Sequence, residues 1–318
     1  MGERNLPRGD VVIKATALER PPPDAGEGSR PATLAGSALL ISKPGIVTGV
    51  SLAGLAGMVL AGGRMPGAER VIPCLASVIA ASSGAAVMNG ILDAPMDTRM
   101  PRLAARVVAM RRVGSEGALA LSLVLILASI LVSYRFFQGL TAALVLAAVL
   151  SYTVLYTLIL KRRSPYGTIP GGIPGALPVL IGYSAAAGRI GLDGIILFLV
   201  MLLWQPPHFW TLALAHMEEY RDAGVPVLPV ALGEPYTKIL IFLYAVSLLP
   251  TTLTLWVFGY CSEVFALVAI VLWCFFLLSC YRNVVGRHRY RKAFGASILY
   301  MMGILIAVIV DVSARPLS

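Results

Sequence analysis

Apolar residues run along this chain in long unbroken blocks, not in the alternation of a strand or the single stripe of a soluble helix. Nine blocks reach or approach the roughly 20 residues that cross a hydrocarbon core. They cover about 38–62, 71–92, 117–134, 139–160, 168–187, 192–215, 238–259, 263–281 and 295–312. The fifth carries Pro170, Gly171, Gly172, Pro174, Gly175 and Pro178 between positions 170 and 178. Backbone groups freed inside lipid need partners, so this span is expected to be enclosed by other helices or to line a cavity. The pattern predicts an all-α integral membrane protein, with about nine transmembrane helices in a bundle forming one polytopic domain over 38–318. Residues 1–37 differ: five prolines, five basic and five acidic residues mark a flexible polar tail. No apolar segment precedes the first span, so no cleavable signal is expected.

Composition sharpens this. Only 13% of the 318 residues are charged and 58% are hydrophobic, against about 25% charged in an ordinary soluble domain. The net charge of +10 does not indicate nucleic-acid binding, because the basic residues lie between apolar spans and form no continuous patch. Cys74, Cys261, Cys274 and Cys280 show no paired spacing and read as apolar fillers. With the N-terminus placed in the cytoplasm, the inner loops carry 15 Lys and Arg and the outer segments five. That bias orients the chain.

The expected inner face also collects polar chemistry. Asn89, Asp93 and Asp97 recur every four residues at the end of the second span, so on a helix they would share one face. Pro95 disfavours helical backbone at Ala94. The helix is therefore expected to end or kink near Asp93, leaving Asp97 on a loop. Two carboxylates and an amide oxygen are hard ligands suited to Mg²⁺ with substrate phosphates, and equally suited to a solvated helix end. His216, Glu218, Glu219, Tyr220 and Asp222 follow the sixth span at the same face, and Tyr156, Lys161, Arg162 and Arg163 close the fourth. The basic group also obeys the orientation bias. Together, acids to hold a cation and bases to neutralise phosphate outline a metal–diphosphate site above an apolar interior. Within the sixth span, Trp204-Gln205-Pro206-Pro207-His208-Phe209-Trp210 reads either as a structural kink or as a flat aromatic acceptor pocket.

From Lys43-Pro44 to about Thr237, the chain resembles the UbiA-type membrane prenyltransferase superfamily and, within it, the protoheme IX farnesyltransferase (heme O synthase) family. The residues that carry the resemblance are Asn89xxxAsp93xxxAsp97xxMet100xArg102, Leu160-Lys161-Arg162, Gly171-Gly172xxGly175-Ala176xPro178, Trp204xPro206-Pro207-His208-Phe209-Trp210, Glu219-Tyr220 and the tract from Ala223 to Pro229. The resemblance implies nine helices around a lipid-open cavity, with the active site at the cytoplasmic end and the protein in the cell inner membrane. It implies farnesyl transfer from farnesyl diphosphate to a vinyl group of heme b, giving heme O for terminal oxidase biogenesis. Asp93, Asp97 and Lys161 would be catalytic. Mg²⁺ would be the cofactor, held by Asn89, Asp93, Asp97, Glu218, Glu219 and Asp222. Lys161, Arg162, Arg102 and Tyr156 would bind diphosphate, and His208, Trp204 and Trp210 would meet the heme. The implied partners are farnesyl diphosphate, heme b and the lipid bilayer, with a downstream heme-modifying enzyme or oxidase assembly factors beyond them.

The chain departs from the family pattern at three places. Ala94-Pro95 stand where Arg and a third Asp are usual, Glu218-Glu219 replace an Asp pair, and Gly167-Thr168-Ile169-Pro170 replace Asn-Ile-Val-Ile. These departures keep two other readings open, a prenyltransferase with an aromatic or quinone-precursor acceptor and a non-catalytic heme-binding paralogue, and the broken fifth span keeps a third, a transporter. Acids clustered at one border, away from the bilayer midplane, speak against transport.

Overall fold

The computed structural model describes residues 33–315. The polar tail lies outside the described residues up to position 32, and the stretch read as tail already turns helical at its end. Helix α1 (Leu34–Ile41) starts there, its first turn closed by the Thr33 hydroxyl accepting from Gly36 N. α2 (Pro44–Gly62) and α3 (Ala68–Asp97) follow, then α4 (Ala104–Val113), α5 (Ser115–Phe136) and α6 (Gly139–Leu150). α6 runs on through a π-helical stretch, Ser151–Leu160, into the short α7 (Lys161–Arg163). The second half comprises α8 (Ile173–Ala187), α9 (Leu192–Ala215), α10 (Met217–Asp222), α11 (Leu228–Leu232), α12 (Glu234–Val257), α13 (Glu263–Ser279) and α14 (Tyr290–Ser313).

Eight helical runs among the described residues are long and apolar enough to cross a membrane, each matching an expected span. The expected fifth span is α8, whose 15 residues reach only about 22 Å at about 1.5 Å per residue, short of a core of about 30 Å. It nevertheless carries the chain across. Arg162, before it, donates to Leu92 O near the C-terminal end of α3. Ala186, at its far end, accepts from Arg70 at the start of α3.

Enclosure explains how so interrupted a helix survives. Every residue from Ala176 to Ala185 in α8 is buried. α8 lies backbone against backbone on α2: a Cβ on Gly57 would fall 2.0 Å from Val179 O, and one on Gly182 would fall 1.8 Å from Gly54 O. Small residues permit this approach where lipid supplies no hydrophobic drive between helices. The largest buried cluster joins α2, α8, α9, α12, α13 and α14 through residues such as Ala53, Val179, Leu197, Trp210, Ile241, Phe276 and Tyr300. Leucine, isoleucine and valine side chains on the outside of α5, α12 and α13 remain exposed, as a lipid-facing surface requires.

Candidate active site

The expected break at Asp93 does not occur. α3 runs through Pro95 to Asp97, so Asp97 is helical and not on a loop. Pro95 lacks an N–H and leaves Ile91 O without its partner. The turn is closed around that gap: Thr98 N donates to Ala94 O at 3.2 Å, Thr98 Oγ1 to Pro95 O at 3.1 Å, and Arg162 Nη2 to Leu92 O at 2.7 Å. Asn89, Asp93 and Asp97 therefore stack on one helical face, all three buried, with Asn89 Nδ2 donating to Asp93 Oδ2 at 2.7 Å.

The π-helical stretch aims the cations. A π turn holds one residue more than an α turn, which rotates everything after it by about 100° relative to a regular helix. Lys161 Nζ reaches Asp93 Oδ2 at 2.5 Å, and Arg162 Nη2 stands 3.8 Å from Asp93 Oδ1. Thr157, in the same stretch, accepts from Asn89 Nδ2 at 3.0 Å. Tyr156 stacks on Tyr152, its ring pressed against Gly171, where a Cβ would fall 2.3 Å from Tyr156 Cδ2.

Three residues join this site that were not singled out as site residues from the sequence. Lys43, left-handed at φ 56° where α2 begins, donates from Nζ to Asn89 Oδ1 and lies 3.4 Å from the Tyr152 hydroxyl. Arg106, on α4, lines a small pocket with Gly90, Ala94, Asp97, Val107 and Met110. Tyr220 stands near Lys161 and Tyr156 and accepts from Arg102 Nη2 at 2.9 Å. In the sequence, Arg106 had no signal beyond the orientation bias and Lys43 none beyond opening the matched tract; Tyr220 stood beside the acids in a matched motif.

The second acidic group is only partly drawn in. Glu219 lies 3.2 Å from Arg102 Nε and 2.8 Å from His216 Nδ1. Glu218 and Asp222 are exposed, and Glu218 is paired with Arg221. No group of three or more His, Cys, Asp or Glu side chains among the described residues is placed to hold a metal ion. Arg102 sits with Glu219 and Tyr220, while Arg106 is the arginine beside Asp97.

The donors on α3 nevertheless suit a hard cation. Asp93 Oδ1 is buried without a hydrogen bond, and ammonium groups already sit on Asp93 Oδ2 and Asn89 Oδ1. Glu219 Oε2 is likewise buried without a hydrogen bond, although the Arg102 guanidinium already stands 3.2 Å from it. A buried, unsatisfied carboxylate oxygen is costly unless a cation completes it. Lys43, Arg106, Lys161 and Arg162 outnumber Asp93 and Asp97, and that excess of positive charge favours a multiply charged anion.

The aromatic tract divides. α9 runs through Pro206 and Pro207 without interruption. Trp204 and His208 share a face, rings stacked at 4.3 Å. Trp210 does not join them: about 120° round the helix from Trp204 and about 160° from His208, it is wholly buried against Tyr244. The structure places Trp210 in the core, apart from the face that carries Trp204 and His208.

Residues 50–306 match the UbiA prenyltransferase family. The chain belongs to that family. It is 52% identical over 259 residues to the protoheme IX farnesyltransferase of Geotalea uraniireducens (strain Rf4), covering 81% of this chain and all of that one. It is 38% identical over 274 residues to that of Aquifex aeolicus (strain VF5), covering 86% and 94% of the two chains. Among solved structures, a digeranylgeranylglyceryl phosphate synthase superposes with a TM-score of 0.71 at 17% identity, covering 89% of this chain and 99% of that one. A UbiA homologue from Archaeoglobus fulgidus bound to GPP and Mg²⁺ superposes with 0.65 at 12%, covering 86% and 99%. These two establish the shared fold.

Proposed function

We propose that this UbiA-family chain transfers the farnesyl group of farnesyl diphosphate to a vinyl group of heme b, giving heme O. The observation that carries the reading is the 52% identity to a protoheme IX farnesyltransferase along that relative's entire length. The charge arrangement around Asp93 supports the diphosphate half independently. Lys161 and Arg162 flank Asp93, and with Lys43 and Arg106 they would hold the diphosphate oxygens. Tyr156 would bound the site on the side of Gly171. Asn89, Asp93 and Asp97 are the residues that would hold Mg²⁺, with Glu219 as a donor for a second ion; Glu218 and Asp222 would have to turn inward to take part. Bound there, Mg²⁺ supplies positive charge that stabilises departing diphosphate.

The C–O bond of farnesyl diphosphate breaks with its electron pair leaving on diphosphate, and Lys161 and Arg162 offset that charge. The vinyl π electrons form the new C–C bond. The resulting cation beside the porphyrin takes a water oxygen and releases a proton, leaving a hydroxyl group. Trp204 and the ring edge of His208 would border the porphyrin. The bias of Lys and Arg supports a cytoplasmic N-terminus and an active site opening to the cytoplasmic side of the inner membrane.

The test is mass spectrometry of hemes extracted after incubating purified protein with heme b, farnesyl diphosphate and Mg²⁺. A product heavier by one farnesyl and one hydroxyl group is expected. Unaltered heme alongside diphosphate release with an aromatic acceptor would replace this reading.

A further inference from the structure

His208 is held in a way that simple packing does not require. Its ring lies between Trp204 at 4.3 Å and Phe294 of α14 at 4.4 Å, tilted by 22° and 25°, so both ring faces are covered. Its Nδ1 lies 2.7 Å from Ser297 Oγ, also on α14. Ser297 is fully buried, and its backbone carbonyl accepts from Trp204 Nε1 at 2.8 Å. The serine hydroxyl has one hydrogen, and the Phe294 carbonyl 2.6 Å away can only accept. The 2.6 Å contact assigns that hydrogen to Phe294 O, and with it there Ser297 Oγ accepts from His208 Nδ1–H. The Nε2 lone pair is left bare. Nε2 takes no hydrogen bond among the described residues and is not one of the buried unpartnered atoms. A ring used for packing offers a face. This ring offers only the in-plane lone pair of one nitrogen, the geometry with which neutral imidazole ligates a metal.

We propose that Ser297 is a positioning residue that fixes His208 as the Nδ1–H tautomer, so that Nε2 ligates the iron of the porphyrin acceptor. The proposal rests on the heme reading above and adds how the acceptor is held. Trp204 and Phe294 prevent the imidazole from rotating, and Ser297 sets which nitrogen carries the proton. α9 and α14 thus form one acceptor-binding wall, which gives the last span a role in the site.

The experiment titrates the purified full chain and its His208→Ala, Ser297→Ala and Ser297→Thr variants with ferric heme b and, separately, with metal-free protoporphyrin IX. Binding is followed by absorbance and, for the ferric samples, electron paramagnetic resonance. The full chain is expected to show a histidine-ligated ferric heme. His208→Ala should lose that signature and regain it with added imidazole. Ser297→Ala should weaken ferric heme binding roughly tenfold to a hundredfold, the usual effect of removing the partner of a ligating histidine, and Ser297→Thr should restore it. Metal-free protoporphyrin should bind all four proteins alike. If the variants lose both porphyrins equally, or ferric heme shows no histidine ligation in the full chain, the proposal fails while the heme reading stands. If the full chain binds neither porphyrin, the heme reading itself fails.

Discussion

Asp93 is the residue on which the site turns. It is 1% exposed, bonded through one oxygen to Asn89 and Lys161 and left unbonded at the other. Asp93→Asn keeps its shape and removes its charge, so diphosphate release is expected to fall about a hundredfold or more, the scale of losing a group that organises transition-state charge. A diphosphate-release assay checks this, with circular dichroism to establish that the helices persist. Chelation with EDTA should stop the native reaction and Mg²⁺ should restore it, whereas excess Mg²⁺ should not rescue Asp93→Asn. Full activity in EDTA would remove the metal from the scheme. Asn89, Asp93, Lys161 and Arg162 were legible in the sequence because fourfold spacing and clustered charge are local signals. Lys43 and Arg106 were not, since a lone cation at a membrane border looks the same whether it meets a carboxylate or water.

Helix-scale packing rests on contacts that only small residues allow. Gly57→Ala and Gly182→Ala would each drive a methyl group into the backbone of the partner helix, separating α2 from α8. Each should destabilise the protein by about 1–3 kcal/mol, seen as a lower Tm in detergent or as lost folded yield. Gly49, also in α2, has nothing within 4 Å of its would-be Cβ. Gly49→Ala should be neutral or stabilising by up to about 1 kcal/mol. Equal effects at all three positions would mean that α2 and α8 are not in backbone contact. Two element-level features escaped the sequence. The π turn leaves no mark in residue type, because Ser151–Leu160 reads as ordinary apolar helix. Pro95 invited a break that Arg162 and Thr98 prevent by satisfying or closing the neighbouring backbone.

For the whole molecule, orientation is the testable property. With the four native cysteines replaced, Arg287→Cys should react with an impermeant thiol reagent only from the cytoplasmic side, and Arg64→Cys only from the opposite side. Labelling in intact cells against inverted vesicles separates the two, and the reverse pattern would overturn the orientation drawn from the basic loops.

Class, span placement and the gathering of acids and bases at one border were determined by the sequence alone, because lipid demands long apolar helices and because clustered charge is a local signal. Tertiary structure decided the remainder: that α8 crosses though short, that α3 continues through Pro95, that Trp210 is core, and which of the acids meets a cation. Each of these depends on what another helix brings alongside. Backbone satisfaction, burial and ion pairing are set by neighbours distant in the chain, and local sequence carries no record of them.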